Sequence, residues 1–350
     1  MAGKRVRVVV CGEVLCDLFS PRAGVPIAEA THLVPRLGGA PANVAVQLAR
    51  LGIGTALVTG VGADPFGERV RRILAAEGVD LRAVRTVPGR RTGATLVELD
   101  ADGERRFFGF REASADLAMS VADVDRPDVH RLLRGAAVVH SGTVSLRSDC
   151  ACDATRFLQQ AGRERGALIS VDVNLRPGMY PDRALMLERA HGAVAAADVV
   201  KATRDEAALL LGQRASSRLS RLAEGLLARG PRLVLLTDGD RPMLVATAHR
   251  AVERPALSVR VVDATGAGDA FCGAALAALI DAGVTAAQLP ALDDDALARI
   301  VEAGRYAGAA AVTRIGATTA MVRRWPGRRG QRPARLIGRS QSRPAARSAR

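Results

Sequence analysis

The chain is predicted to fold as an α/β protein: a mostly parallel sheet covered by helices on both faces, with a small β insertion. Three observations carry this. Short β-branched runs alternate with helical stretches over most of the 350 residues, the pattern of parallel strands joined by helical crossovers. Residues 81–87, 92–100 and 104–110 break the alternation with three β segments in succession, separated by turns at Pro88-Gly89 and Asp102-Gly103. An insertion of that kind suits a lid or small sheet over a ligand crevice. Residues 257–262, β-branched and preceded by Pro255, run into Asp263-Ala264-Thr265-Gly266-Ala267-Gly268-Asp269 and then into the Ala/Leu-rich stretch 270–280. That reads as a strand, a Gly-rich turn and a buried helix.

The turn is the chemically informative element. A helix that follows a Gly-rich turn presents unpaired amides and the positive end of its dipole to one point, which attracts an anion. Asp269 adds a carboxylate in the first helical turn. A negative group beside a phosphate site suits a general base that strips the proton from an attacking hydroxyl while the amides hold the phosphoryl charge. The plain alternative is a turn closed by a capping Asp. A Walker loop is excluded because no Lys follows the turn, and a dinucleotide fingerprint because its third Gly is Phe271.

Composition excludes less. Hydrophobic residues make up 48% and charged residues 25%, as in an ordinary globular protein. The net charge of +14 is concentrated in residues 323–350, which hold ten Arg and no acid, so the other 322 residues carry only +4. This tail is expected to be disordered. It offers a non-specific contact to nucleic acid or an anionic membrane, or is simply an extension in an Arg-biased sequence. Five cysteines without C-x-x-C spacing point away from zinc and disulfides and towards a reducing compartment. No signal peptide or membrane span is expected, and the cytoplasm is the expected location.

In chain order, residues 6–11 read as a first strand, ending near Asp17. Past the carboxyl end of a strand, Asp17 is a candidate acceptor for a polyol's hydroxyls, or a turn-forming Asp. Residues 18–36 read as irregular. Gly38 and Gly39 open a helix over 44–51 and permit close approach of a ligand to the backbone. Asn43 supplies a donor and an acceptor suited to a sugar hydroxyl. A strand at 55–61 and a helix at 68–77 precede the insertion. Arg111 then returns a guanidinium towards the core, to contact substrate or to pair with a surface acid. Further strands are expected at 136–140, 167–173, 194–200 and 233–237, with helices at 149–165 and from 207.

Two segments, Gly38-Gly39-Ala40-Pro41-Ala42-Asn43-Val44-Ala45 and 263–271, resemble the two signatures of the ribokinase/fructokinase (phosphofructokinase-B type) family of ATP-dependent sugar kinases. The resemblance spans about residues 6–321. It implies a single three-layer α/β/α domain over 1–322, with lid segments near 14–36 and 86–112 that often serve in dimerisation. It implies Asp269 as catalytic base, with the amides of Gly266, Ala267 and Gly268 as an anion hole. Asp17, Gly38, Gly39, Asn43 and Arg111 would then line the sugar site. Asn174, Arg176, Lys201, Glu206, Thr237, Gly239, Thr265 and Gly268 would lie about the nucleotide. Glu206 would organise magnesium through water or phosphate, and a monovalent cation such as potassium is a further implied cofactor.

Arg91-Thr92-Gly93, Gly103-Glu104-Arg105 and Asp172-Val173-Asn174-Leu175-Arg176 look most like bacterial fructokinases. The implied reaction is therefore transfer of the ATP γ-phosphoryl group to fructose, giving fructose 6-phosphate, with ribose or 2-keto-3-deoxygluconate as alternative acceptors. The chain departs from the family pattern at Ala264, Thr203, Asp240-Arg241-Pro242 and Arg305. The altered nucleotide turn would also suit a sugar- or nucleotide-binding regulator on the same scaffold.

Overall fold

The computed structural model describes residues 5–22, 24–99 and 105–327. Asp100 and Glu104, at the ends of two expected β segments, and residues 328–350 of the Arg-rich stretch lie outside the described residues. The chain begins with β1 (Val8–Cys11), β2 (Leu15–Phe19), β3 (Val34–Gly38), α1 (Ala40–Arg50), β4 (Thr55–Val61), α2 (Pro65–Ala76) and β5 (Val84–Thr86). It continues through β6 (Gly93–Leu99), β7 (Arg105–Phe110), α3 (Val121–Val124), α4 (Pro127–Leu133), β8 (Val138–Gly142), α5 (Asp149–Arg163) and β9 (Leu168–Asp172). Then come α6 (Arg183–Ala196), β10 (Val199–Thr203), α7 (Arg204–Leu211), α8 (Leu219–Leu227), β11 (Leu233–Thr237), β12 (Met243–Ala246), β13 (Ala251–Arg254), α9 (Ala267–Asp281) and α10 (Asp294–Ala311).

Nine strands form one sheet in the order β13-β12-β11-β10-β9-β8-β1-β4-β5. Only the β11–β12 and β12–β13 pairings are antiparallel. The alternation of side chains along each strand sorts the core into two faces. Val8, Val10, Val138, Leu168, Val199 and Leu233 pack under α1, α2, α9 and α10. Val9, Val139, Ile169, Val171, Val200 and Val234 face the layer from α3 to α8. Three layers result. After β1 the chain first builds outward through β4 and β5, then returns to the other side of β1 with β8. That reversal opens a crevice at the carboxyl ends of the strands.

The second sheet, in the order β3-β2-β6-β7, rises from this edge. β3 and the last two residues of β2 fall largely where the sequence reads as irregular. β3 hides its strand character because Pro35 interrupts the run, which is tolerated at the edge of a sheet. The expected strand at 257–262 does not form. Pro255 ends β13's surroundings, Val261 is 60% exposed, and Val262 donates its N–H to Val312 O rather than to a strand. The run 194–200 divides between the end of α6 and the start of β10, since a short apolar run does not distinguish helix from strand. Trp325, inside the stretch expected to be disordered, is buried in the core beside α1 and α9. Among the described residues no helix is long and apolar enough to cross a membrane.

α9 is buried along most of its length, and small residues let its neighbours close on it. A Cβ on Gly273 would lie 2.9 Å from Gln47 Cβ in α1, and one on Gly304 of α10 would lie 2.7 Å from the Phe271 ring. The α1 crossing sets how near Asn43 comes to the head of α9. Gly273→Val should therefore overpack the crossing and cost about 1–3 kcal/mol. A chemical denaturation midpoint equal to the parent's would show that the contact is not tight.

Candidate active site

The crevice is built where three loops meet. The first follows β1 and carries Glu13 and, in β2, Asp17. The second is the Gly38-Gly39 entrance of α1. The third is the 263–269 turn leading into α9. Gly39, at φ 96°, adopts a conformation that L side chains avoid, and a Cβ there would sit 2.6 Å from Glu13 O. A Cβ on Gly38 would sit 2.1 Å from Asp17 Oδ2. Only glycine at this position lets the Asp17 carboxylate lie against the entrance of α1.

The turn at 263–269 is tied from within and from outside. Asp263, buried, accepts from Thr265 N at 2.8 Å and from Thr265 Oγ1 at 2.5 Å. Its other oxygen accepts from Gly316 N at 2.7 Å. Gly266 caps α9 in the left-handed region at φ 78°, with Ala317 O close enough to exclude any side chain. The amides just beyond it open the helix, where the dipole is positive and intrahelical acceptors are absent. The loop holding Gly316 is clamped in turn. Arg36 of β3 reaches Thr319 Oγ1 at 3.4 Å and lies over the Phe19 ring, and Arg50 donates to the carbonyls of Thr318 and Met321.

Asn43 Nδ2 donates to Asp269 Oδ2 at 2.8 Å, joining two segments 226 residues apart in sequence. Asn43 Oδ1 is buried with no hydrogen-bond partner among the described residues. The Asp269 carboxyl is pushed up to about 6 by burial and by the nearby Asp172 carboxylate, against the Asn43 amide, Lys201 and Arg176. Burial pushes Asp17 up to about 7, with Arg111 opposing and Asp263 and Asp269 adding like charge. Both groups are in the range where a proton is exchanged near neutral pH.

Arg111 is fully inside rather than paired with a surface acid. Its Nη2 donates to buried Asp116 Oδ2 at 2.7 Å, Nη1 faces Met179 Sδ at 3.6 Å, and Nε is buried without a partner among the described residues. Glu13, not singled out from sequence, is buried beside it and accepts from Ser145 Oγ at 3.0 Å. Burial raises its carboxyl above the usual range.

Of the residues expected about the nucleotide, Thr265 and Gly268 lie at the head of α9, and the other six lie in or beyond the carboxyl-terminal halves of β9, β10 and β11. Asn174, at φ 36°, is the one non-glycine residue among those described with a left-handed backbone, which Asn tolerates. The chain turns there and carries Arg176 to 3.7 Å from Glu206 Oε1. Glu206 also closes a capping box, accepting from Thr203 N at 2.8 Å. Thr203, a departure from the family pattern, thus still serves as the N-cap of α7. Thr237 ends β11 and Gly239 turns at φ 62°. Asp238 between them is held by Arg204 Nε at 2.6 Å. Arg305 is engaged by Glu302 and Pro255 O. Lys201 is buried, its Nζ 3.1 Å from both oxygens of Asp172. Asp172 and Asp263 are the functional neighbours that sequence reasoning left without a role, although both stand inside the segments that it singled out.

Comparison with known proteins agrees with this geometry. Residues 6–324 match the pfkB family carbohydrate kinase. The chain is 38% identical over 280 residues to Fructokinase-1 of Oryza sativa subsp. japonica, covering 80% of this chain and 85% of that one. A fructokinase from Xylella fastidiosa solved with bound ATP superposes with a TM-score of 0.79 at 30% identity, over 91% of this chain and 95% of that one. A fructokinase double mutant from Vibrio cholerae O395, bound to fructose, ADP and potassium ion, gives a TM-score of 0.78 at 29% identity, over 92% and 97%. With both signatures joined at the head of one helix, and the match running from the first strand to the last described turn, the chain belongs to the pfkB family of carbohydrate kinases.

Proposed function

We propose that the chain is an ATP-dependent fructokinase that transfers the γ-phosphoryl group to a primary hydroxyl of fructose and releases fructose 6-phosphate and ADP. The observation that carries the chemistry is the 2.8 Å hydrogen bond from Asn43 to Asp269. It sets a general base beside the sugar-side residues and at the amide end of α9. The choice of fructose rests on the fructokinase names of the relatives.

In this reading Asp17 and the orphaned Asn43 Oδ1 receive sugar hydroxyls, and Gly38 and Gly39 let the sugar approach the backbone. Asn43 holds Asp269 Oδ2, which leaves Oδ1 to take the proton from the attacking hydroxyl. The amides of Gly266, Ala267 and Gly268 face the charge that develops on the phosphoryl oxygens. Arg176, half-exposed beside Glu206, meets the nucleotide phosphates with Asn174, while Thr265, Thr237 and Gly239 line the nucleotide side. Arg111 fixes the acidic floor of the sugar site from below, through Asp116.

Magnesium is proposed to enter bound to ATP. Glu206 would hold it through water and phosphate. Magnesium supplies neutralisation of the phosphate charge during transfer. A requirement for potassium is proposed on the same footing. Four of the five cysteines are buried and all are free, which suits a reducing cytoplasm.

A coupled assay with ATP and fructose, ribose, adenosine and 2-keto-3-deoxygluconate tests the reading; the highest kcat/KM is expected with fructose. Preference for another sugar would replace the substrate, and no turnover with any would remove the kinase reading. Asp269→Asn should lower kcat about 10²–10⁴-fold with little change in sugar KM. Because both carboxyls must be ionised to act, kcat/KM should fall as pH drops through the 7 to 6 region set by Asp17 and Asp269. An acid limb near pH 4 would show that neither group is perturbed. The stability sign is opposite. A buried acid with a raised value binds its proton more tightly when folded, so its stability contribution declines from about pH 4 up to its folded value. Asp269→Asn should accordingly melt no lower than the parent at pH above 7.

The lid is proposed as the contact of a homodimer. Phe108 and Phe110 on the edge strand β7 are 50% and 64% exposed, large apolar surfaces that a partner would cover. Phe108→Ser with Phe110→Ser should convert a dimer to monomers in sedimentation velocity. An unchanged sedimentation coefficient would place the interface elsewhere.

A further inference from the structure

We infer that Lys201 is a positioning residue for phosphoryl transfer: a fixed internal cation against which the 266–269 turn is packed, held in place by Asp172. This rests on the reading of Asp269 as the base. Lys201 is 5% exposed and Asp172 1%, and Nζ is shared evenly between the two carboxylate oxygens at 3.1 Å. A Cβ on Gly268 would lie 2.8 Å from Nζ and 3.5 Å from Cε. The ammonium therefore abuts the backbone of the anion-hole turn, and glycine at 268 is what allows it so close.

The choice of side chain supports a role in the site. The chain has only two lysines among 50 basic residues, and one of them is here. A guanidinium fork is broader than an ammonium and would not fit against Gly268. A buried ion pair is also no better for stability than an apolar pair of the same shape. Its charge acts on neighbours instead. Asp269 and Cys272 face it from α9, Asp172 from β9, Glu206 from α7 and His140 from β8, while Arg176 stands beyond Asp269. His140 stays neutral, pushed down to about 3 by burial and by Lys201 itself. The ammonium and the head of α9 thus apply positive charge at the same turn. Together they offset Asp172 and Asp269, so that a negatively charged phosphoryl group can approach the base.

The test compares the parent with Lys201→Met and with the double variant Lys201→Met, Asp172→Asn, measuring kcat, sugar KM, the pH profile of kcat/KM and the melting temperature. Lys201→Met should lower kcat about a hundredfold with little change in sugar KM. It should also move the acid limb to higher pH, because Asp269 loses a cation and keeps the Asp172 charge. The double variant should recover the melting temperature, since no buried charge is left unpaired, while kcat stays low. Recovery of kcat together with the melting temperature would overturn the inference, by showing that the pair serves only the fold. A folded Lys201→Met with the parent's kcat and acid limb would overturn it as well. If Asp269→Asn is inactive while Lys201→Met is normal, this inference alone fails. A parent without sugar-dependent ATP consumption overturns it together with the reading of Asp269.

Discussion

Asp17, Asp172, Asp263 and Asp269 converge on one crevice, and the site depends on how their negative charge is held. Each is managed by a different device. Asp263 spends both oxygens on backbone and hydroxyl donors of its own turn and of the 316 loop. Asp172 is matched to Lys201. Asp17 and Asp269 are the two left with raised proton affinity. In the proposed reaction those two are also the ones whose protons would matter to a sugar hydroxyl. The sheet places Asp172 at the carboxyl end of β9, while Asp17 is carried by β2 and Asp263 and Asp269 by the turn and first helical turn of α9.

Much of this was legible in the sequence because the informative residues are local. The 263–269 heptad contains its own glycines, its own carboxylate and the start of its own helix. The alternation of strands and helices needs only short windows to be read. What stayed hidden depends on partners remote in the chain. β2 and β3 are short, and one contains a proline, so nothing within them reveals that they pair with each other and that β2 pairs with β6. Residues 257–262 have the composition of a strand but find no strand to pair with. The roles of Glu13 and Asp172 follow from Ser145 and Lys201, which lie 132 and 29 residues further on.

The helices show the same division. α9 reads as buried from its alanines and leucines alone, yet its closeness to α1 and α10 is decided by Gly273 and Gly304. The crossing of α1 and α9 also carries Asn43 to Asp269. Packing and chemistry are therefore not separable here, since the glycine that lets the two helices close lies one turn along α9 from the carboxylate.

Arg36 joins the parts of the molecule that would otherwise move independently. It belongs to an outer strand of the lid, yet its side chain lies against Gly316, whose N–H holds Asp263 at the start of the catalytic turn. Any displacement of that strand would be felt at the 316 loop and, through the Gly316 N–H, at Asp263. In the proposed reaction the position of the lid would in this way be coupled to the anion-binding turn at the head of α9, through a single guanidinium.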